Sequence, residues 1–196
     1  MNYWERPALN KRRPPTHQIV KTFVKDVMYH LPPIKGKVLD VGSGNGYFSY
    51  WFEKITDTTA IDNSHKMIEM NPVKKKYLMD ATELKFKDNT FDIVFESCLL
   101  HHTDRIGNVL HEMKRVSKKY VIILEPDPRN VFEWLFMHLI REERQALLFT
   151  DKFWHSLLPL LFKSHHIIKV KSVFPNKSPK WLPLKLDTCK LIICEI

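Results

Sequence analysis

Cysteine and long apolar runs are scarce in this chain of 196 residues. The three cysteines, Cys98, Cys189 and Cys194, cannot all pair within one chain, and they do not have the spacing of metal ligands. No stretch reaches the roughly 18 uninterrupted apolar residues that a membrane-spanning helix needs, and the first residues lack the apolar core of a signal peptide. We therefore expect a reduced, cytoplasmic protein with no transmembrane segment and no metal site.

Acidic residues are also in the minority. The chain has 31 Lys and Arg against 22 Asp and Glu, a net charge of +9, and such an excess often accompanies a nucleic acid partner. The basic clusters are short, scattered and not interleaved with aromatic residues; they lie at 11–13, 74–76 and 118–119. A solvated basic surface is therefore the preferred interpretation, and nucleic acid stays open as a partner.

The order of apolar segments predicts an α/β fold. Residues 1–15 form a polar, Pro-rich flexible arm, and 16–31 have the periodicity of an amphipathic helix. Short apolar strands then alternate with helices, which implies a mainly parallel sheet covered on both faces. The predicted strands are 37–41, 57–61, 76–79, 91–95 and 120–124, with a closing antiparallel pair around 167–174 and 184–196. We expect one domain, 1–196, built as a three-layer αβα sandwich with a mainly parallel seven-stranded sheet and an antiparallel closing strand.

Large apolar and aromatic residues crowd into residues 131–162. Residues 131–149 have the composition of one helix that is apolar almost all round, within a helical lid or insertion at 129–165. Three interpretations stay open: the segment is part of the core, it is a lid over an apolar acceptor pocket, or it rests on a membrane surface.

Glycine is rare too, but four of the five glycines fall between positions 36 and 46, and three of these follow the first predicted strand. Gly42, Gly44 and Gly46 stand where this strand must turn into a helix, and glycine both adopts positive φ and lets a ligand approach the backbone. The dinucleotide pattern G-x-G-x-x-G fails because Tyr47 occupies its third glycine position. Asp40 would oppose a phosphate, so the loop favours a cationic ligand without phosphate.

Residues 38–46, Val-Leu-Asp-Val-Gly-Ser-Gly-Asn-Gly, resemble the first motif of class I S-adenosylmethionine-dependent methyltransferases, hydrophobic-Asp/Glu-x-Gly-x-Gly-x-Gly. The cofactor of that family carries a sulfonium and an ammonium and no phosphate, in agreement with the charge of Asp40. The resemblance covers about residues 36–127, and within it Leu99-Leu-His-His102 resembles a common continuation in the small-molecule branch of the family.

Three further motifs follow in the order that this family has. Asp62 resembles the acid that accepts hydrogen bonds from the ribose hydroxyls, with Asn63 near the adenine. Asp80, followed by Ala81, resembles the acid that receives the adenine amino group. Ser97 ends a motif that contacts the amino-acid portion of the cofactor. Either acid alone is typical of a turn or a helix cap; their joint placement favours the ligand role. The predicted cofactor-binding residues are Asp40, Gly42, Ser43, Gly44, Gly46, Asp62, Asn63, Asp80, Ala81 and Ser97.

Catalytic groups are expected to be few, because the driving force for methyl transfer is stored in the cofactor and the protein mainly aligns the acceptor. A base is needed when the acceptor is a hydroxyl, a protonated amine or an acidic carbon. In this family the loop after the fourth strand faces the methyl, so His101 and His102 are the candidate bases, with His101 slightly favoured; the alternative is that they pack and bond to the backbone. Glu96 and Glu125 are expected to line the pocket or orient the cofactor, and Cys98 to be structural.

The resemblance implies S-adenosylmethionine as cofactor and methyl transfer as activity. The aromatic segment 131–162 favours a small or lipid-like acceptor, and we expect a monomer or weak homodimer. No Asn/Asp-Pro-Pro-Tyr/Phe motif follows the fourth strand, so amino groups of adenine or glutamine are not expected acceptors. Two alternatives stay open: an RNA-modifying methyltransferase, which the charge favours, and a non-catalytic methyltransferase-like subunit, against which the intact glycine and aspartate set argues.

Overall fold

A sheet of seven strands forms the middle layer of the computed structural model, which describes residues 15–171 and 187–196. Along the sheet the order is β3-β2-β1-β4-β5-β7-β6. The pairs from β3 to β5 are parallel, whereas β7 is antiparallel to both β5 and β6. The strands are β1 Lys37–Val41, β2 Asp57–Asp62, β3 Lys75–Leu78, β4 Phe91–Ser97, β5 Ser117–Pro126, β6 Ser164–Lys171 and β7 Asp187–Glu195. The predicted mainly parallel sheet with an antiparallel closing strand is confirmed.

Helices cover both faces of the sheet. The helices are α1 Gln18–His30, α2 Ser49–Phe52, α3 His65–Met70, α4 Ile106–Val116, α5 Val131–Leu139 and α6 Asp151–Leu157, with 3₁₀ segments at Leu100–His102, Arg141–Leu148 and Leu158–Leu160. Successive residues of a strand point to opposite faces, so Val38 packs in the core with α1 and α2 while Leu39 packs in the core with α4 and α6. Two apolar cores therefore separate three layers. Of the predicted arm, residues 1–14 lie outside the described residues.

The predicted helix 131–149 is wrong in its length. Helix α5 ends at Leu139, Ile140 is extended with φ −102° and ψ 113°, and the chain continues as the 3₁₀ segment Arg141–Leu148. This break turns Glu143 into the interior, where it lies beside His101. Gln145 Nε2 also donates to Thr103 O at 2.7 Å. Tertiary contacts across the carboxyl edge of the sheet therefore override the local tendency to continue the helix.

The aromatic segment 131–162 is partly core and partly surface. Phe149, Trp154 and Phe162 are buried against the sheet. By contrast, α5 presents four large apolar side chains that are 48 to 70% exposed: Val131, Trp134, Leu135 and Leu139. No helix among the described residues is both long enough and apolar enough to cross a membrane.

Candidate cofactor and active site

The glycine loop after β1 has a backbone that other residues cannot adopt without strain. Gly42, Gly44 and Gly46 have φ of +65°, +52° and +87°, in the left-handed region that favours glycine. A Cβ on Gly42 would lie 2.8 Å from Leu99 Cδ1, and one on Gly46 would lie 2.6 Å from Asn71 Oδ1. The glycines are therefore required by packing as well as by conformation. They leave the loop backbone bare at the carboxyl edge of the sheet.

Asp62, at the end of β2, holds this loop. Its Oδ2 accepts a hydrogen bond from Gly44 N at 2.8 Å, and its Oδ1 accepts one from Ser64 N at 2.8 Å. Ser43 N donates to Ile61 O at 2.8 Å, which extends the pairing of β1 and β2 into the loop. A carboxylate has about four acceptor positions, more than these two donors occupy. Asp62 is therefore able to orient the loop and to accept hydrogen bonds from a ligand as well.

Asp40 lies beneath the loop and is only 2% exposed. Ser49 Oγ donates a hydrogen bond to Asp40 Oδ2. Burial raises the pKa of Asp40 to about 7, the bonds from Ser49 oppose the shift, and the nearby charge of Asp62 adds to it. The charged form of Asp40 is thus costly in this protein, and a cation placed beside it would offset that cost.

Asn71 contacts the glycine loop from the end of α3, and the sequence analysis missed this role. It caps α3 and is fully buried. Its Nδ2 donates to Ser43 Oγ at 3.1 Å and lies 3.4 Å from Gly44 O, while its Oδ1 accepts from Val73 N at 3.2 Å. An Asn before a Pro indicates a turn in the sequence, but no local pattern shows that the side chain reaches back to the glycines.

The other predicted cofactor residues lie on the same edge, because β1 to β4 are parallel and in register. Asn63 and Asp80 are exposed, and Ala81 and Ser97 are half-buried. Asp80 Oδ1 accepts hydrogen bonds from the backbone N and the Oγ1 of Thr82, both at 2.8 Å, and these bonds lower the pKa of Asp80. The fold therefore brings all ten predicted residues to one edge of the sheet.

A second group of polar side chains is buried at the ends of β4 and β5. Glu96 accepts hydrogen bonds from Leu99 N at 3.0 Å and from Leu124 N at 3.1 Å. Glu125 Oε1 accepts one from Leu100 N at 2.7 Å. Burial first, and then the charge of Glu125, raise the pKa of Glu96 well above its usual range. These two glutamates hold the turn after β4 in place from within.

His101 lies between two carboxylates, with its side chain 1% exposed. Its Nδ1 bonds to Glu125 Oε2, and its Nε2 is 3.0 Å from Glu143 Oε2, although the ring N–H is not aligned for a hydrogen bond. Burial alone would lower the pKa of His101, but the charges of Glu125 and Glu143 and the bond to Glu125 outweigh it and raise the pKa to about 10. Without another cation, His101 is therefore charged at neutral pH and has no lone pair for accepting a proton.

His102 differs from its neighbour in both exposure and charge. The residue is exposed, and its ring centroid is 3.9 Å from that of His101. Desolvation of the ring, and then the charge of His101, lower the pKa of His102. His102 is therefore neutral at physiological pH.

Cys98, in the turn after β4, adopts an unusual backbone conformation. Its φ is +56°, which is uncommon for a residue with a side chain, and its N donates to Leu124 O at 2.8 Å. Burial raises the pKa of the Cys98 thiol well above its usual range. A thiol that stays protonated is a poor nucleophile.

Comparison with known proteins agrees with this geometry. The family profile of a methyltransferase domain matches residues 39–124, the span from β1 into β5. This span carries the glycine loop, Asp62 and Asp80. This match supports a class I S-adenosylmethionine-dependent methyltransferase, the family whose first motif residues 38–46 resemble. The cofactor of this methyltransferase family is S-adenosylmethionine.

Several curated methyltransferases are similar to this chain in sequence over part of their length. A phosphatidylethanolamine N-methyltransferase of Cereibacter sphaeroides is 35% identical over 100 residues, which are 46% of this chain and 49% of the relative. A ubiquinone/menaquinone biosynthesis C-methyltransferase of Burkholderia mallei is 32% identical over 104 residues, 46% of this chain and 43% of the relative. The chain thus spans about half the length of these curated relatives.

A solved structure extends the likeness to the whole fold. An S-adenosylmethionine-dependent methyltransferase of Thermotoga maritima, described as a possible histamine N-methyltransferase, superposes with a TM-score of 0.76. The alignment covers 98% of this chain and 97% of that one at 18% identity. At this identity the likeness concerns the fold alone.

Proposed function

We propose that this protein transfers a methyl group from S-adenosylmethionine to a small or lipid-like acceptor by direct displacement. The observation that carries the proposal is the bare glycine loop between two carboxylates, the buried Asp40 and the half-buried Asp62. A carboxylate that is costly to ionise in the ligand-free protein suits a ligand that brings its own positive charge.

The cofactor contacts follow from the positions at the sheet edge. We assign the ribose hydroxyls to Asp62 and the adenine to Asn63, Asp80 and Ala81, which follow β2 and β3. The amino-acid portion falls to the loop residues Gly42, Ser43, Gly44 and Gly46, to Asp40 beneath them, and to Ser97 at the end of β4.

Proton removal, where the acceptor requires it, falls to the histidines after β4. Of the two candidates, His102 is better placed than His101, because it is exposed and neutral whereas His101 is held between two carboxylates. His101 then acts as a positioning residue for the turn. The remaining task of the protein is to exclude water and to align the acceptor atom behind the methyl.

An apolar acceptor is supported by helix α5. Strand β5 ends at Pro126 on the edge that carries the glycine loop, and α5 begins five residues later with Trp134 and Leu135 about half exposed. Exposed apolar groups near such an edge are suited to an apolar ligand. The names of the two curated relatives, which refer to a phospholipid and to quinones, agree with this acceptor class.

Transfer of a labelled methyl group to lipid and quinone extracts tests the proposal. We expect the double variant Trp134→Ala/Leu135→Ala to lower transfer at least several-fold while binding of S-adenosylhomocysteine is unchanged. Tyr29→Ala on α1, an aromatic residue that is 85% exposed on another element, is the matched control and should retain full transfer. Label that enters RNA and no lipid or quinone would overturn the acceptor proposal.

The rival RNA acceptor rests on the net charge of +9. Part of this charge is paired within the protein: Lys75 Nζ lies 2.5 Å from Asp57 Oδ1, and Lys119 Nζ lies 3.0 Å from Asp92 Oδ1. Two basic clusters are thereby partly neutralised, which disfavours a phosphate-binding surface. RNA binding that falls steeply with added salt would instead favour this rival.

A further inference from the structure

Two histidines and a carboxylate meet beside the turn after β4. One ligand atom each from His101, His102 and Glu143 lies within 4.8 Å of the other two. His101 and Glu143 are buried, whereas His102 is exposed. Two histidines and one glutamate or aspartate form the ligand set of several catalytic zinc sites and of non-haem iron sites. The residue types and their separation therefore match a transition-metal site with an accessible side.

The buried nitrogen of His101 is an independent observation that points to a ligand. His101 Nε2 is inaccessible to solvent and has no hydrogen-bond partner among the described residues. It lies 3.0 Å from Glu143 Oε2. Adjacent ligands on a metal with bond lengths of about 2.0–2.2 Å are separated by roughly 3 Å or slightly more. An ion bound to both atoms would give this nitrogen, which is close to Glu143 but makes no hydrogen bond, a directed bond to a ligand.

The surroundings of His101 are those of a metal-binding histidine. Metal-ligating histidines commonly donate their other ring N–H to a carboxylate, which fixes the tautomer and the ring orientation. His101 Nδ1 bonds in this way to Glu125, and Glu125 is itself held by Leu100 N. His101 is therefore oriented with Nδ1 toward Glu125 and Nε2 toward Glu143, and its ring lies against that of His102.

We propose that His101, His102 and Glu143 bind a divalent transition-metal ion of the zinc type. The ion would balance the charges of two buried carboxylates, Glu125 and Glu143. The exposed side of His102 leaves coordination positions open to water or to an acceptor oxygen. The site adjoins the glycine loop, because Leu99, at the start of the same turn, packs against Gly42.

This inference goes beyond the proposed function and departs from the sequence-based expectation of no metal site. Metal binding does not require that the protein transfer a methyl group. It does change the role of His102, which becomes a ligand and no longer a base. A binding measurement separates these roles without an activity assay.

The test is titration of the tag-free full chain, stripped with a chelator, with Zn²⁺ by calorimetry and with Co²⁺ by absorbance. The ligand variants are His102→Ala, at an exposed position, and Glu143→Gln, which keeps the side-chain shape. His111→Ala is the matched control, an exposed histidine on α4. His155→Ala is a second control, because His155 Nδ1 lies 3.1 Å from His165 Nε2 at the surface.

We expect one Zn²⁺ per chain in the unmodified protein and in both control variants. Affinity should fall at least about tenfold in His102→Ala and Glu143→Gln, with Co²⁺ bands that disappear in parallel. Absence of binding, undiminished binding in His102→Ala, or loss of binding in His155→Ala would each overturn the proposal. S-adenosylhomocysteine binding, measured on the same samples, tests the cofactor site separately, so failure of one proposal is distinguishable from failure of the other.

Discussion

Two neighbouring regions at the carboxyl edge of the sheet are built on different principles. The glycine loop is made of consecutive residues, and its shape depends on backbone conformation and on one buried carboxylate, Asp40. The cluster around His101 is made of side chains from β4, β5 and two 3₁₀ segments, and it depends on the balance of buried charges. Substitutions should therefore affect the loop through strain and ligand binding, and the cluster through stability.

The largest effect is expected for His101→Ala in the metal-free protein. The substitution leaves Glu125 and Glu143 buried without their shared partner, and breaking a buried pair in this way costs about 3–5 kcal/mol. His102→Ala, at the exposed neighbour, should change the free energy of unfolding by less than about 1 kcal/mol. Urea unfolding followed by circular dichroism measures both. Equal losses in the two variants would contradict the account of the cluster as a buried charge network.

Gly46→Ala should have the next largest effect and should act on the loop. The new Cβ would lie 2.6 Å from Asn71 Oδ1 at a φ of +87°, so we expect a loss of about 1–3 kcal/mol in stability and at least tenfold in S-adenosylhomocysteine affinity. Gly107→Ala is the matched control, since a Cβ there meets nothing within 4 Å and alanine favours the helix by about 0.5–1 kcal/mol. Thermal unfolding should show a lower midpoint for Gly46→Ala and a higher one for Gly107→Ala, and calorimetry should show weaker ligand binding in Gly46→Ala alone. Unchanged stability and affinity in Gly46→Ala would show that the loop tolerates a side chain.

Asp40→Asn should raise the stability of the protein while it weakens cofactor binding. Burial raises the pKa of Asp40 to about 7, so the folded state holds more protons than the unfolded state and this residue lowers stability as pH rises from about 4 through 7. The amide removes that cost, and we expect a gain of about 1–2 kcal/mol at pH 8 after its own burial is counted. Cofactor affinity should fall about tenfold, because the ligand ammonium loses its counter-charge. A variant that is less stable at pH 8, or that binds unchanged, would refute this role.

The smallest effect is the pH dependence of cofactor binding. The ammonium group of S-adenosylhomocysteine favours ionised Asp40, so affinity for this ligand should rise about tenfold between pH 6 and pH 8 and level off above the pKa near 7. Calorimetry across this range measures the slope. Asp40→Asn should remove most of the dependence, and an equally steep slope in the variant would assign it to another group.

Most of the sheet could be predicted, because the parallel strands are short apolar runs separated by helical segments. Strand β1 begins and ends where expected, and β2 differs by one residue. The helix after the glycine loop is only four residues long, Ser49–Phe52, and begins late because the loop before it still has positive φ at Gly46. The chain order also does not reveal that β7 lies between β5 and β6, because adjacent strands in a sheet need not be adjacent in sequence.

The sequence by itself determined the glycine loop, the acids after β2 and β3, and the resemblance to a methyltransferase family, because these depend on residue types at fixed local spacing. Only the tertiary structure decided the environment of His101, where a break in the predicted helix brings Glu143 to a histidine 42 positions earlier. It also decided that the Asn71 side chain donates a hydrogen bond to Ser43 in the glycine loop. Burial and the direction of a side chain depend on contacts between distant segments, and these set the charge of a histidine or a glutamate more strongly than its neighbours in the chain do.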